Sequence, residues 1–259
     1  MAKGSYFQKF KATNTDDFQS LPIVKASEVD KQACEAGEVL LIDKPVHWTS
    51  FDVVRKIRNS LGIKKVGHAG TLDPLATGLL IVCTGKATKK INDLMKTVKE
   101  YTGTIILGAV TPTYDLESDP QNFKPIDHIT IMDIRNATVE FIGEQMQIPP
   151  VYSAIKVAGT PLYELARRGK EVEIQARPIT IFGFDILDYE PPEVHFRVLC
   201  SSGTYIRSLA HDLGKQVGCG GYLSSLRRTK VGEYRIENAF TLDAFLQLLA
   251  TGNMFKKDS

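Results

Sequence analysis

Apolar positions along the chain fall into two rhythms. The run Glu38-Val39-Leu40-Leu41-Ile42 is continuous and short, which predicts a buried strand ended by Lys44-Pro45. A cap at Thr49 or Ser50 then opens a helix with an apolar stripe at Phe51, Val54, Ile57 and Leu61, and Gly62 closes it. Leu79–Cys83 predicts a second buried strand, and Ala87–Met95 a short basic helix. Tyr101–Val110 alternates as a strand does, and Val139–Ile142 offers another. From Ile148 to Gly169 neither rhythm holds, so this stretch reads as an excursion from the core. Ile179–Tyr189 and Val194–Cys200 return to strand spacing. Thr204 then opens a helix with its stripe at Ile206, Leu209, Leu213 and Val217. Gly232–Ile236 is the last strand-like piece, and Thr241–Leu249 suits a closing helix.

Strands and helices in this irregular order predict an α+β fold around a mixed, mostly antiparallel sheet with flanking helices. Residues 1–36 are polar and weakly periodic and read as an N-terminal extension. Residues 37–240 form the main domain, with the insertion at about 147–176, and residues 241–259 are a short helix and tail. There is no internal repeat and no low-complexity segment.

Charge refines this picture. The 259 residues carry a formal net charge of only +2. Yet Lys44–Glu100 holds 11 Lys and Arg against 4 Asp and Glu, whereas Tyr101–Pro150 holds 2 against 7. A chain so segregated can present one basic face, and a phosphate backbone rewards such a face through counterion release. A solvated lysine-rich helix face would have the same composition.

Cys34, Cys83, Cys200 and Cys219 form no CxxC pair, and Cys83 and Cys200 lie in apolar runs as buried thiols. This fits a reducing cytoplasm. No run approaches the roughly 20 apolar residues of a membrane span, and the N-terminus lacks the apolar stretch of a signal peptide. The five histidines show no HxxxH or HExxH spacing, so no metal site is indicated. Gly85-Lys86 lacks the first glycine and the Ser/Thr of a phosphate-binding loop.

Four segments could carry chemistry. In Gly67-His68-Ala69-Gly70-Thr71-Leu72-Asp73-Pro74-Leu75-Ala76-Thr77-Gly78, glycines allow close approach and Pro74 restricts Asp73 to extended geometry. A carboxylate held so can serve as nucleophile or general base; an Asx-turn that merely shapes the loop would use the same residues. Ser201–Arg207 joins a strand end to a helix start. Arg207 there opposes the helix dipole, which suits a cation paired with a carboxylate or phosphate, or one simply left at the surface. Tyr222–Lys230 contains the pair Arg227 and Arg228, fit for phosphates or for a solvated face. The excursion interleaves Tyr152, Lys156, Tyr163, Arg167, Arg168 and Lys170, a mixture that suits base stacking with phosphate contact, or a plain hairpin.

Taken in order, the Lys44-Pro45 strand end, GHAGTLDPLATGLL, Lys99-Glu100-Tyr101, IPPVYSAIK with LYELAR, ARPI, SGTYIRSLAHDLG and LRR resemble the TruB family of tRNA pseudouridine synthases. The match runs from about Gly37 to Phe240. The resemblance implies the pseudouridine synthase fold with an RNA-clamping insertion, no cofactor, no metal, and a monomer acting on the TΨC stem-loop of tRNA at the uridine of position 55. It implies that Asp73 is the catalytic aspartate, that Arg207 pairs with it, and that Tyr101 stacks on the flipped base. Tyr205 and Leu226 would line the base pocket, and His68 would enter the space the base leaves. Lys44, Tyr152, Lys156 and Arg227 would contact RNA. Many bacterial members carry a C-terminal PUA-type module, for which the residues after Phe240 are too few. His47 stands where the family often has glycine. A tRNA-binding or tRNA-folding protein without catalysis is the alternative. A glycoside hydrolase would need a second carboxylate in a comparable setting, and none is present.

Overall fold

The computed structural model describes residues 30–153, 155–157, 159–169 and 172–252. In chain order its elements are α1 (Lys31–Gly37), β1 (Val39–Lys44), α2 (Ser50–Leu61), β2 (Val66–His68) and β3 (Thr77–Thr84). A 3-10 segment at Gly85–Lys90 leads into α3 (Ile91–Met95), then β4 (Lys99–Leu107), α4 (Ile131–Val139), β5 (Gly143–Gln147), β6 (Lys156–Val157) and β7 (Thr160–Pro161). There follow α5 (Leu162–Arg167), β8 (Arg177–Glu190), β9 (Glu193–Cys200), α6 (Ile206–Val217), β10 (Gly221–Val231), β11 (Tyr234–Arg235), β12 (Phe240–Thr241) and α7 (Leu242–Gly252). Two compact units share these elements, one made of residues up to Tyr101 and from Arg227, the other of Thr102–Leu226, so β4 and β10 contribute to both.

In the first unit β1 lies antiparallel to β3 and parallel to β12, while β10 joins β3 in parallel at Arg227 and Arg228. The sheet is therefore mixed. The continuous apolar runs of β1 and β3 have a simple cause, since both faces are covered. Leu40, Ile42, Leu80 and Val82 pack with Val53, Ile57 and Leu61 of α2 and Phe245 of α7. Val39, Leu41, Leu79, Ile81 and Cys83 pack on the other side with Leu94, Val231 and Tyr234. Each such side chain removed from water contributes about 1.5–3 kcal/mol.

Helix α2 starts at a capping box in which Thr49 accepts from the Asp52 N–H and the Asp52 carboxylate accepts from the Thr49 N–H; Gly62 ends it in the left-handed conformation. Phe51 is 59% exposed, so the expected stripe is corrected to Val53, Val54, Ile57 and Leu61. The order expected from Gly37 onward begins earlier, because Asp30 caps α1 and Cys34 packs into the α2 core. Residues 1–29 of the expected extension and 253–259 of the tail lie outside the described residues.

In the second unit β9 and β8 pair antiparallel along their length, and β5 adds antiparallel to β8. Phe184 stands edge-on between Phe141 and Phe196 in its core. The strand expected at Val139–Ile142 is not there. A second capping box, Thr130 with Asp133, starts α4, which occupies the chain to Val139, and the strand begins at Gly143. Tyr222–Lys230 is a strand within β10. The closing helix is α7. The cysteines are free and buried, and burial pushes the Cys34 and Cys83 thiols up to about 11.

Candidate active site

The Asp73 loop connects β2 to β3 in the first unit, and its backbone is braced from below. Arg228 donates from Nη2 to the Gly70 carbonyl (3.1 Å), from Nη1 to Thr71 (3.4 Å) and from Nε to Leu79 at the far end (2.7 Å). Ser50 Oγ accepts from the Leu72 N–H (2.9 Å) and donates back to the Leu72 carbonyl (3.2 Å). Pro74, which has no N–H, offers only its carbonyl, and this accepts from Lys44 Nζ (3.2 Å) and the His47 N–H (2.8 Å). The Asp73 carbonyl closes a turn by accepting from the Ala76 N–H. The carbonyls on both sides of Asp73 are thus occupied inside the protein, and the carboxylate is carried on a backbone with few ways to move.

Two buried cations stand under this loop. Lys44 is 0% exposed and Arg228 1%. The Lys44 ammonium is spent on three carbonyls, those of Pro45, Trp48 and Pro74. Burial lowers its pKa to about 8, the nearby Asp73 carboxylate works against that shift, and Arg228 adds to it. The expectation that Lys44 contacts RNA is therefore corrected: its donors are used and no face of it reaches solvent. Close packing explains Gly78 as well, since a Cβ there would run into the backbone of Arg228.

Of the other expected residues in this unit, Tyr101 is buried on β4. His68 ends β2, half-buried; burial, and secondly Arg228, hold its pKa below the ordinary value. Arg227 lies half-exposed in a bidentate pair with Asp43 (3.0 and 2.6 Å).

The second unit holds the remaining residues. Arg207, the second residue of α6, is 4% exposed, so it is not a surface arginine. Its Nε stands 3.6 Å from the Asp115 carboxylate, Nη1 donates to the Thr113 carbonyl (3.2 Å) and Nη2 to the Tyr152 carbonyl (3.0 Å). Tyr205 precedes α6, with its backbone gripped by the Gln147 side chain, which accepts from its N–H (2.8 Å) and donates to its carbonyl (3.0 Å). Ser208 Oγ donates to the Ile148 carbonyl. The start of α6 therefore anchors the start of the insertion at Gln147, Ile148 and Tyr152. Lys156 lies on β6, in a two-stranded hairpin with β7, and Leu226 on β10. Lys170 is outside the described residues.

The sequence gives Ser50, Asp115 and Gln147 no part in a site, and it offers Arg228 with Arg227 for phosphates or a solvated face; the structure corrects this, since Arg228 is 1% exposed and donates to backbone carbonyls. Arg228 had a visible signal. Along the strand Tyr222–Lys230, period-2 alternation puts Arg228 on the face opposite Arg227.

The model of the TruB family pseudouridylate synthase N-terminal domain matches residues 58–206, and that of the tRNA pseudouridylate synthase B C-terminal domain matches 207–257. The chain belongs to the TruB family. It is 51% identical over 220 residues to the tRNA pseudouridine synthase B of Flavobacterium johnsoniae, covering 82% of this chain and 96% of that one. It is 49% identical over 219 residues to the protein of the same name from Phocaeicola vulgatus, covering 82% and 93%. Among solved structures, a Cbf5–Nop10–Gar1 complex contains a chain that superposes with a TM-score of 0.66 at 30% identity; 96% of this chain spans 63% of that one. The expected α+β pseudouridine synthase fold and the isomerase class of the TruB family both stand. Among the described residues, no group of His, Cys, Asp and Glu could hold a metal ion, and no helix is long and apolar enough to cross a membrane.

Proposed function

We propose that this TruB-family chain converts uridine to pseudouridine in the TΨC arm of tRNA, at position 55. The observation that carries this reading is Asp73, a carboxylate on a loop whose flanking carbonyls are all satisfied from inside. Asp73 acts at C1′ of the flipped nucleotide, either by attacking it or by taking a sugar proton. The N1–C1′ bond breaks, the base turns, and a C5–C1′ bond forms. C5 then gives up its proton and N1 gains one, so the product is an isomer. Such a reaction needs a base out of the stack, and a rigid carboxylate keeps attack geometry from drifting.

Tyr101 and Arg207 complete the catalytic set, with Tyr205 and Leu226 for the base, His68 for the vacated stack, and Arg227, Tyr152 and Lys156 for the RNA. The protein works as a monomer in the cytoplasm and takes no cofactor. Exposed Lys56, Lys64, Lys65, Lys86, Lys89 and Lys90 in the first unit suit phosphates.

The test is to incubate unmodified tRNA with wild type and with Asp73→Asn and to map pseudouridine by nucleotide. Wild type should modify position 55, and Asp73→Asn should make no product. No product with wild type, or product with Asp73→Asn, overturns the assignment. The tRNA-folding reading survives only if Asp73→Asn leaves every tRNA-dependent phenotype of the cell unchanged.

A further inference from the structure

The segment that holds Arg207 is itself held in an unusual way. Two of the three described partners of the guanidinium come from one short stretch, the Thr113 carbonyl and the Asp115 carboxylate. Tyr114 lies between them and has φ +63°, the left-handed region that a bulky side chain rarely adopts. Such a conformation persists only where the surroundings over-determine it, and it gathers at functional sites.

The surroundings are visible. The Tyr114 ring stacks on His211, with centroids 4.0 Å apart and planes 17° apart. His211 follows Arg207 by four residues on α6, so both side chains leave the same face of the helix one turn apart. The stretch is tied inward too. Thr113 Oγ1 bonds to the Asp115 carbonyl and to Ser118 Oγ, and the Asp115 carboxylate accepts from the Glu117 N–H. On its other side the Tyr114 carbonyl accepts from the Leu223 N–H. The aromatic stack thus ties Tyr114 to α6 one turn beyond Arg207.

We infer that Tyr114 and His211 are positioning residues for Arg207: their stack holds residues 113–115 at the distance from α6 that seats the guanidinium. This rests on the functional reading above, in which Arg207 serves the reaction. In this part the imidazole serves as a flat ring beneath Tyr114. Its Nδ1 is buried and takes no hydrogen bond from the described residues, and burial keeps the ring's pKa below the ordinary histidine value. A phenyl ring can therefore replace it without leaving a bond broken at that atom, whereas a methyl group cannot fill the gap beneath Tyr114.

The experiment compares His211→Ala, His211→Phe, Tyr114→Ala and Arg207→Ala, together with the double variant R207A/H211A. Readouts are single-turnover rate and KM on unmodified tRNA and the melting temperature. His211→Ala and Tyr114→Ala should each lower the rate by on the order of tenfold to a hundredfold with KM unchanged, as expected for a displaced group. His211→Phe should restore the rate to within about threefold of wild type. In the R207A background His211→Ala should cost nothing further, because the group it positions is gone. Wild-type rate in His211→Ala overturns the inference. So does an equal loss in both backgrounds, or a loss in His211→Phe as large as in His211→Ala. If wild type makes no pseudouridine in tRNA, the functional reading falls and takes this inference with it. If wild type is active and His211→Ala matches it, only this inference falls.

Discussion

The Asp73 loop and the start of α6 both immobilise a charged side chain, in opposite ways. In the first unit the charge is carried on backbone, and the backbone is what the bracing groups grip. Lys44, Ser50 and Arg228 point their donors at carbonyls around Asp73. In the second unit the charged group is gripped directly, as Arg207 donates to the carbonyls of Thr113 and Tyr152 and faces the Asp115 carboxylate. A backbone brace is shared with the fold, so damage to it should appear in stability and rate together. A side-chain seat can be loosened with the fold intact.

Arg228→Ala should test this contrast most severely. It removes a fully buried guanidinium and leaves the Gly70, Thr71 and Leu79 carbonyls without their donor. The expected loss is about 3 kcal/mol of unfolding free energy, accompanied by a drop in kcat. Urea unfolding together with single-turnover rate measures both. A variant of wild-type stability but low rate would erase the distinction from His211→Ala.

Lys44 gives the next effect, through pH. Its folded pKa, about 8, lies below the ordinary 10.5, so folding disfavours the protonated amine. Between these two values the unfolded chain holds a proton that the folded chain has released. Stability from this group therefore rises as pH climbs from about 8 to 10.5, by about 1–3 kcal/mol. Lys44→Met should lack that rise, so the difference between the two proteins' unfolding free energies, followed across this window, isolates it. A difference flat with pH would show that the three carbonyls hold the ammonium at its solution pKa.

His47→Gly should do least. His47 sits at φ +66°, and what it gives the Asp73 loop is its backbone N–H, bonded to the Pro74 carbonyl. Glycine keeps that donor and relieves the left-handed strain, at the cost of a more flexible unfolded chain, so the net change should stay within about 1 kcal/mol with unaltered rate. A large fall in rate would assign the imidazole a part that its position does not suggest. It would also break the view that the loop is held by backbone bonds.

Much of this architecture is readable in the sequence because its determinants are local. The capped helix α2 follows from Thr49, Asp52 and Gly62, all within one short stretch, and β1 and β3 follow from runs of consecutive apolar residues. Helix α4 carries the same local signal in Thr130 and Asp133, but its nine residues bury few side chains and show little stripe. The Asp73 loop was identifiable from its Gly, Asp and Pro and from its order with Tyr101 and SGTYIR. What neighbouring sequence does not give is which distant groups meet the charged side chains. Arg227 and Arg228 are neighbours in sequence, yet one is a half-exposed ion pair and the other is sealed in the core.

By itself the sequence determined the α+β class, the principal elements and the family, and pointed to Asp73, because periodicity, caps and motif order act over a few residues at a time. Only the tertiary structure decided that Lys44 is a brace and not an RNA contact, that Arg228 carries the Asp73 loop from 157 and 158 residues away, and that Tyr114 and His211 stack beside Arg207. The physical reason is that a buried cation is tolerable only where carbonyls or a carboxylate meet it, and those partners are brought to it by the fold, not by the neighbouring sequence.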